Sequence, residues 1–76
     1  MRCFLCYQGD ALDAATAYDS IADARADFED TARELDRYGQ RIEASLHFAP
    51  TRDELAEYPD RVLSLGPRGG LRIVRA

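Results

Sequence analysis

Seventy-six residues are enough for one domain near the lower size limit for a self-sufficient hydrophobic core. The formal net charge of −4 is unevenly spread: residues 1–60 sum to −8, while residues 61–76 hold four arginines and no acid. An acidic body of this kind argues against a general nucleic-acid binder, which is normally basic overall, and no apolar run approaches the ~20 residues of a membrane span. The first ten residues, MRCFLCYQGD, also lack the long apolar region and small-residue cleavage site of a signal peptide. A cytoplasmic protein is expected. Every basic residue is Arg, the mark of a GC-rich coding background rather than of a mechanism. There is no Trp, so three Phe and four Tyr must supply much of the core's bulk.

In chain order, residues 1–7 read as a strand, with Met1, Cys3, Leu5 and Tyr7 on one face and Arg2, Phe4 and Cys6 on the other. Gln8 to Ala11 supply a turn, and Leu12 to Ala17 are expected to return as a second strand. Asp19 to Tyr38 is the one long helix. Ile21, Ala24, Phe28, Ala32, Leu35 and Tyr38 recur at three- and four-residue steps along one face. Asp19 or Ser20 can cap the N-terminus, Arg37 complements the dipole in the last turn, and Gly39 is the stop.

After Gly39 the period changes to two. Ile42, Ala44, Leu46 and Phe48 alternate with Arg41, Glu43, Ser45 and His47, which predicts a strand with one face to the helix and the other to solvent. Residues 49–60 form a connection with Pro50 and Pro59, in which Thr51 to Glu54 match a capping box opening one or two helical turns. Arg61–Leu65 and Leu71–Arg75 are two further strands joined by the hairpin loop GPRGG. The expected fold is a single α+β domain over residues 1–76. It has an antiparallel sheet of four to five short strands in the order ββαβββ, and the long helix packs on one face.

No catalytic constellation emerges. Cys3 and Cys6 have C-x-x-C spacing, but within a strand such positions point to opposite faces, and His47 is the only histidine, so Cys and His cannot assemble four metal ligands. Ser45, His47 and Glu43 lie along one strand without an elbow or an oxyanion-hole motif. GPRGG lacks the Lys-Ser/Thr ending of a phosphate-binding loop and is followed by a strand. No enzyme activity, metal or cofactor is expected. What stands out is charge: Asp23, Asp27, Asp30 and Glu34 form one stripe at helical spacing, with Glu29 and Asp36 nearby on the same helix.

The segments ELDRYGQRIEASLHFA (34–49) and EYPDRVLSLGPRGGLRIVRA (57–76) resemble short proteins encoded by phages, prophages and mobile elements of GC-rich bacteria. In size, acidity and plan the chain is similar to small anti-CRISPR proteins, some of which place an acidic surface in the DNA path of a CRISPR surveillance complex. The resemblance implies an inhibitory binding protein acting in the host cytoplasm. It would present Asp23, Asp27, Asp30 and Glu34, with Glu29 and Asp36, to a basic protein surface such as a CRISPR-Cas effector complex. Direct contact with nucleic acid or membrane is not expected. The alternative is a regulatory or protein-interaction module, a monomer or weak homodimer, using the sheet face and Arg68 at the hairpin tip as a partner contact.

Overall fold

A computed structural model describes residues 1–66 and 70–75 and shows one helix packed on a five-stranded antiparallel sheet. The strands are β1 (Arg2–Tyr7), β2 (Thr16–Tyr18), β3 (Glu43–Ala49), β4 (Arg61–Leu65) and β5 (Leu71–Arg75), and α1 spans Ile21–Arg37. Their order in the sheet is β2-β1-β3-β4-β5. Since β2 and β3 are each antiparallel to β1, they run parallel to one another, and α1 is the crossover that carries the chain over β1 from one to the other. From β3 onward the sheet is a simple meander. The residues between Gly66 and Gly70, including Arg68 at the expected hairpin tip, lie outside the described residues.

The helix starts and stops where its punctuation places it. Ser20 Oγ accepts the Asp23 backbone N–H at 3.1 Å, and Gly39 takes the left-handed conformation (φ +75°) while donating its N–H to the Asp36 carbonyl. Ala24, Phe28 and Ala32 are fully buried against Cys3 and Leu5 of β1, Ala44 and Leu46 of β3, and Leu63 of β4. The expected apolar stripe is shorter than its pattern, because Ile21 is 43% exposed and Tyr38 75%. Tyr38 is the C-cap, already turned out of helical geometry, so the period no longer aims it at the sheet.

Three expectations need correction. Leu12 to Ala17 is not one strand: Leu12–Ala14 form a 3₁₀ turn, and β2 begins only at Thr16 and runs to Tyr18. The capping box at Thr51 is not made either. Arg52–Glu54 is a single 3₁₀ turn, and the Thr51 side chain accepts no capping bond.

The third correction concerns the far face of the sheet, expected to be open to solvent. There Phe4, Cys6, Ala15 and Ala49 make a second, smaller core closed by Leu12 and Leu55, one from each 3₁₀ segment. Arg52 ties these segments together, donating to the carbonyls of Asp13 (3.1 Å) and Ala15 (2.6 Å) with its guanidinium 5.4 Å from the centre of the Phe4 ring. His47, expected on an exposed strand face, is therefore buried.

Candidate functional site

The charged flank of α1 follows from the placement of its apolar face. At 100° per residue, burying Ala24, Phe28 and Ala32 throws Asp23, Asp27, Asp30 and Glu34 onto one side of the helix, about 130° from the core direction. All four are exposed. From Asp23 to Glu34 there are 11 steps along the helix, a rise of ~16 Å. This flank lies toward the β2 edge, since Tyr18 of β2 donates its hydroxyl to Asp27 Oδ2, and Tyr7 of β1 donates to Thr31 Oγ1 at 3.2 Å.

The Tyr18 phenol is held well above its ordinary pKa, first by burial and then by the Asp27 carboxylate it donates to. Burial likewise raises Tyr7. Among the described residues, Asp23 and Asp30 enter no ion pair, whereas Glu34 bridges to Arg37 at 3.3 Å.

Glu29 and Asp36 are not brought to this stripe. The helical period turns them to the opposite flank, where Glu29 accepts from Arg33 at 2.8 Å and Asp36 lies 3.9 Å from Arg41. Glu29 also lines a shallow groove of about 460 Å³ with Ile21, Ala22, Arg25, Ala26 and Ile73 of β5. Arg68, the expected secondary contact, falls outside the described residues.

Sequence reasoning missed the environment of His47. Its Nδ1 lies 2.9 Å from the Ala56 carbonyl, which can only accept, so Nδ1 carries the proton. Its Nε2 lies 2.9 Å from Ser45 Oγ, which is also 3.4 Å from the Cys6 carbonyl. The bond to Ala56 pins the 49–60 connection to the sheet, and the Ser45 contact within β3 orients the ring that makes it.

The pair sits at a cleft of about 370 Å³, lined also by Cys6, Asp10, Glu43 and Glu57. A serine–histidine contact performs acyl transfer only when spare N–H donors face the attacked carbonyl. Here Ser45 is in an interior strand whose backbone groups are engaged with β1 on one side and β4 on the other. What the arrangement does show is a ring held between Ser45 and the Ala56 carbonyl.

Cys3 and Cys6 are free and buried on opposite faces, as strand geometry predicts. Burial raises both thiols, reinforced by Asp60 for Cys3 and by Asp10 for Cys6, which suppresses the nucleophilic thiolate. No group of three or more His, Cys, Asp or Glu among the described residues is arranged to hold a metal ion. None of the described helices is long and apolar enough to cross a membrane.

No protein-family model matches the chain, and neither a curated protein nor a solved structure does.

Proposed function

We propose that this chain is a small inhibitory binding protein, encoded by a phage or mobile element, that acts as an anti-CRISPR. Its acidic helix flank occupies the basic DNA path of a CRISPR-Cas effector complex. The observation that carries this reading is the exposed row Asp23, Asp27, Asp30 and Glu34 on one side of a rigid helix. Four carboxylates over ~16 Å of axis compare with about five phosphates of one DNA strand at ~3.4 Å per phosphate. The row is thus a slightly diluted copy of a strand's charge line.

Like charges at these spacings oppose helix formation by roughly 0.2–0.5 kcal/mol per pair. Asp27 accepts from Tyr18 and Glu34 pairs with Arg37, but the alignment of the four carboxylates itself opposes folding. A basic groove gains from that alignment, through steered association and complementary fixed charge.

The test exploits the pairing differences within the row. Asp23→Asn and Asp30→Asn remove charge where no ion pair is lost, and Asp27→Asn removes charge while keeping an acceptor for the Tyr18 hydroxyl. The triple variant should fold as the parent does and fail to block target-DNA binding by a purified surveillance complex that the parent inhibits. Full inhibition by a well-folded triple variant would eliminate the stripe as the binding surface.

A further inference from the structure

The two edges of the sheet differ. β2 is only three residues long, a common way of blunting an edge, whereas β5 is five residues long and leaves Ile73 38% and Val74 52% exposed. The orientation of β5's backbone follows from its pairing. Gly66 N–H donates to the Gly70 carbonyl at 2.6 Å, and hydrogen-bonded pairs alternate along an antiparallel ladder. With Gly66 opposite Gly70, the pairs Ser64–Arg72 and Val62–Val74 are the bonded ones. Arg72 and Val74 therefore spend their backbone groups on β4, and Leu71, Ile73 and Arg75 direct theirs outward from the free edge.

From this edge we infer a specific occupant: the β5 strand of a second copy of this chain, paired antiparallel about a two-fold axis at Ile73. Three antiparallel registers bring two or more outward-facing pairs together. Centring on Arg72 sets Arg72 against its own copy, a like-charge pair that opposes association, and yields two bonded pairs. Centring on Val74 also yields two. Centring on Ile73 yields three, Leu71–Arg75, Ile73–Ile73 and Arg75–Leu71, for six hydrogen bonds, with Arg72 opposite Val74. The arginines that guard this edge thus disfavour one register and leave another open.

Leu71, Ile73 and Arg75 share the sheet face that carries α1. On that side Glu29 lines the groove beside Ile73 together with Arg25 and is paired with Arg33, and Arg41 bridges from Asp36 to the carbonyls of Leu65 and Gly66. The charges of the β5-facing flank are thus balanced, and the register is chosen by the backbone pairs and by the Arg72 repulsion. The acidic row of Asp23, Asp27, Asp30 and Glu34 lies on the other flank and stays exposed in the dimer, so this inference stands apart from the proposed function.

A five-residue strand contact is small beside the ~800 Å² per partner of a stable complex, so the dimer is weak and its assay must reach millimolar protein. Sedimentation equilibrium of the parent should show a reversible dimer. Ile73→Pro removes an outward N–H without touching the β4 ladder and should leave a folded monomer. Single cysteines at 72, 73 and 74 read the register directly: under mild oxidation Ile73→Cys should link to itself, while Arg72→Cys and Val74→Cys should not. A strict monomer at millimolar concentration would overturn the inference, as would self-linkage at 72 or 74 in place of 73.

Discussion

Replacing His47 tests whether the far-face core is held as described. His47→Ala removes two hydrogen bonds, to Ser45 and to Ala56, and leaves the Ala56 carbonyl without its side-chain donor. A lost intramolecular bond costs about 0.5–1.5 kcal/mol, and a buried group left unsatisfied about 1–3 kcal/mol. The missing ring adds a void beneath the connection, so the sum is about 2–4 kcal/mol. A domain of this length has roughly 4–11 kcal/mol in total, so the loss is a large share of it. With a urea slope of about 1 kcal/mol/M for so small a protein, the unfolding midpoint should fall by about 2–4 M.

Ser45→Ala removes the Ser45–His47 bond and the longer 3.4 Å contact of Ser45 Oγ with the Cys6 carbonyl, and should cost about 1 kcal/mol. The double variant should cost less than the sum of the singles, because the two residues share that bond. Hydrogen exchange should show the 49–60 connection opening before the helix-side core. A His47→Ala protein within 0.5 kcal/mol of the parent would refute the pinning role.

Further outcomes follow from the same structure. Phe28→Ala, at a fully buried ring stacked on Tyr7 with centroids 6.2 Å apart, should cost about 3–5 kcal/mol and lower the urea midpoint by more than any other single substitution named here. Gly39→Ala forces a side chain into the left-handed region at φ +75° and should lower stability by about 1 kcal/mol in urea melts. Tyr7 and Tyr18 are held protonated by the fold, so their contribution is complete below the ordinary phenol range near pH 10 and fades as pH rises through their raised folded values. Tyr18→Phe should remove one late-titrating phenol from the absorbance titration, and its retention would contradict the Tyr18–Asp27 contact. Both thiols should react with iodoacetamide at pH 8 more slowly than free cysteine, and at the ordinary rate once denaturant is added.

Much of the fold is legible in the chain because its elements are periodic or well punctuated. The 3.6-residue spacing from Ala24 to Leu35 with Ser20 and Gly39 at its ends defines α1, and the flanking turn residues bound β4 and β5 at their observed limits. The covering of the far face is less legible, because 3₁₀ turns of three residues have no period, and Leu12 and Leu55, 43 positions apart, close the same small core. A signal was present nonetheless. The uninterrupted apolar run Cys3-Phe4-Leu5-Cys6 is what a strand buried on both faces looks like, and it implies that the His47 side of the neighbouring β3 is covered too.

Side-chain substitution for backbone is equally hard to foresee. Next to Pro59, it is the Asp60 carboxylate that accepts the Phe48 N–H at 2.8 Å, while the Asp60 N–H donates to Leu46. Of the acidic residues, helical spacing is sufficient to set Asp23, Asp27, Asp30 and Glu34 in a row. The same spacing sends Glu29 and Asp36 to the other flank, where tertiary partners decide their surroundings.

The most direct measurement of the proposed function is capture of the tagged protein's partners from a host with an active CRISPR system, alongside the Asp23→Asn/Asp27→Asn/Asp30→Asn variant. The account predicts a surveillance complex bound to the parent, released by rising salt because the contact is between exposed charges, and absent from the variant. A surveillance complex recovered equally with both proteins would contradict the acidic row as the contact. Its absence from the parent would contradict the inhibitor reading itself.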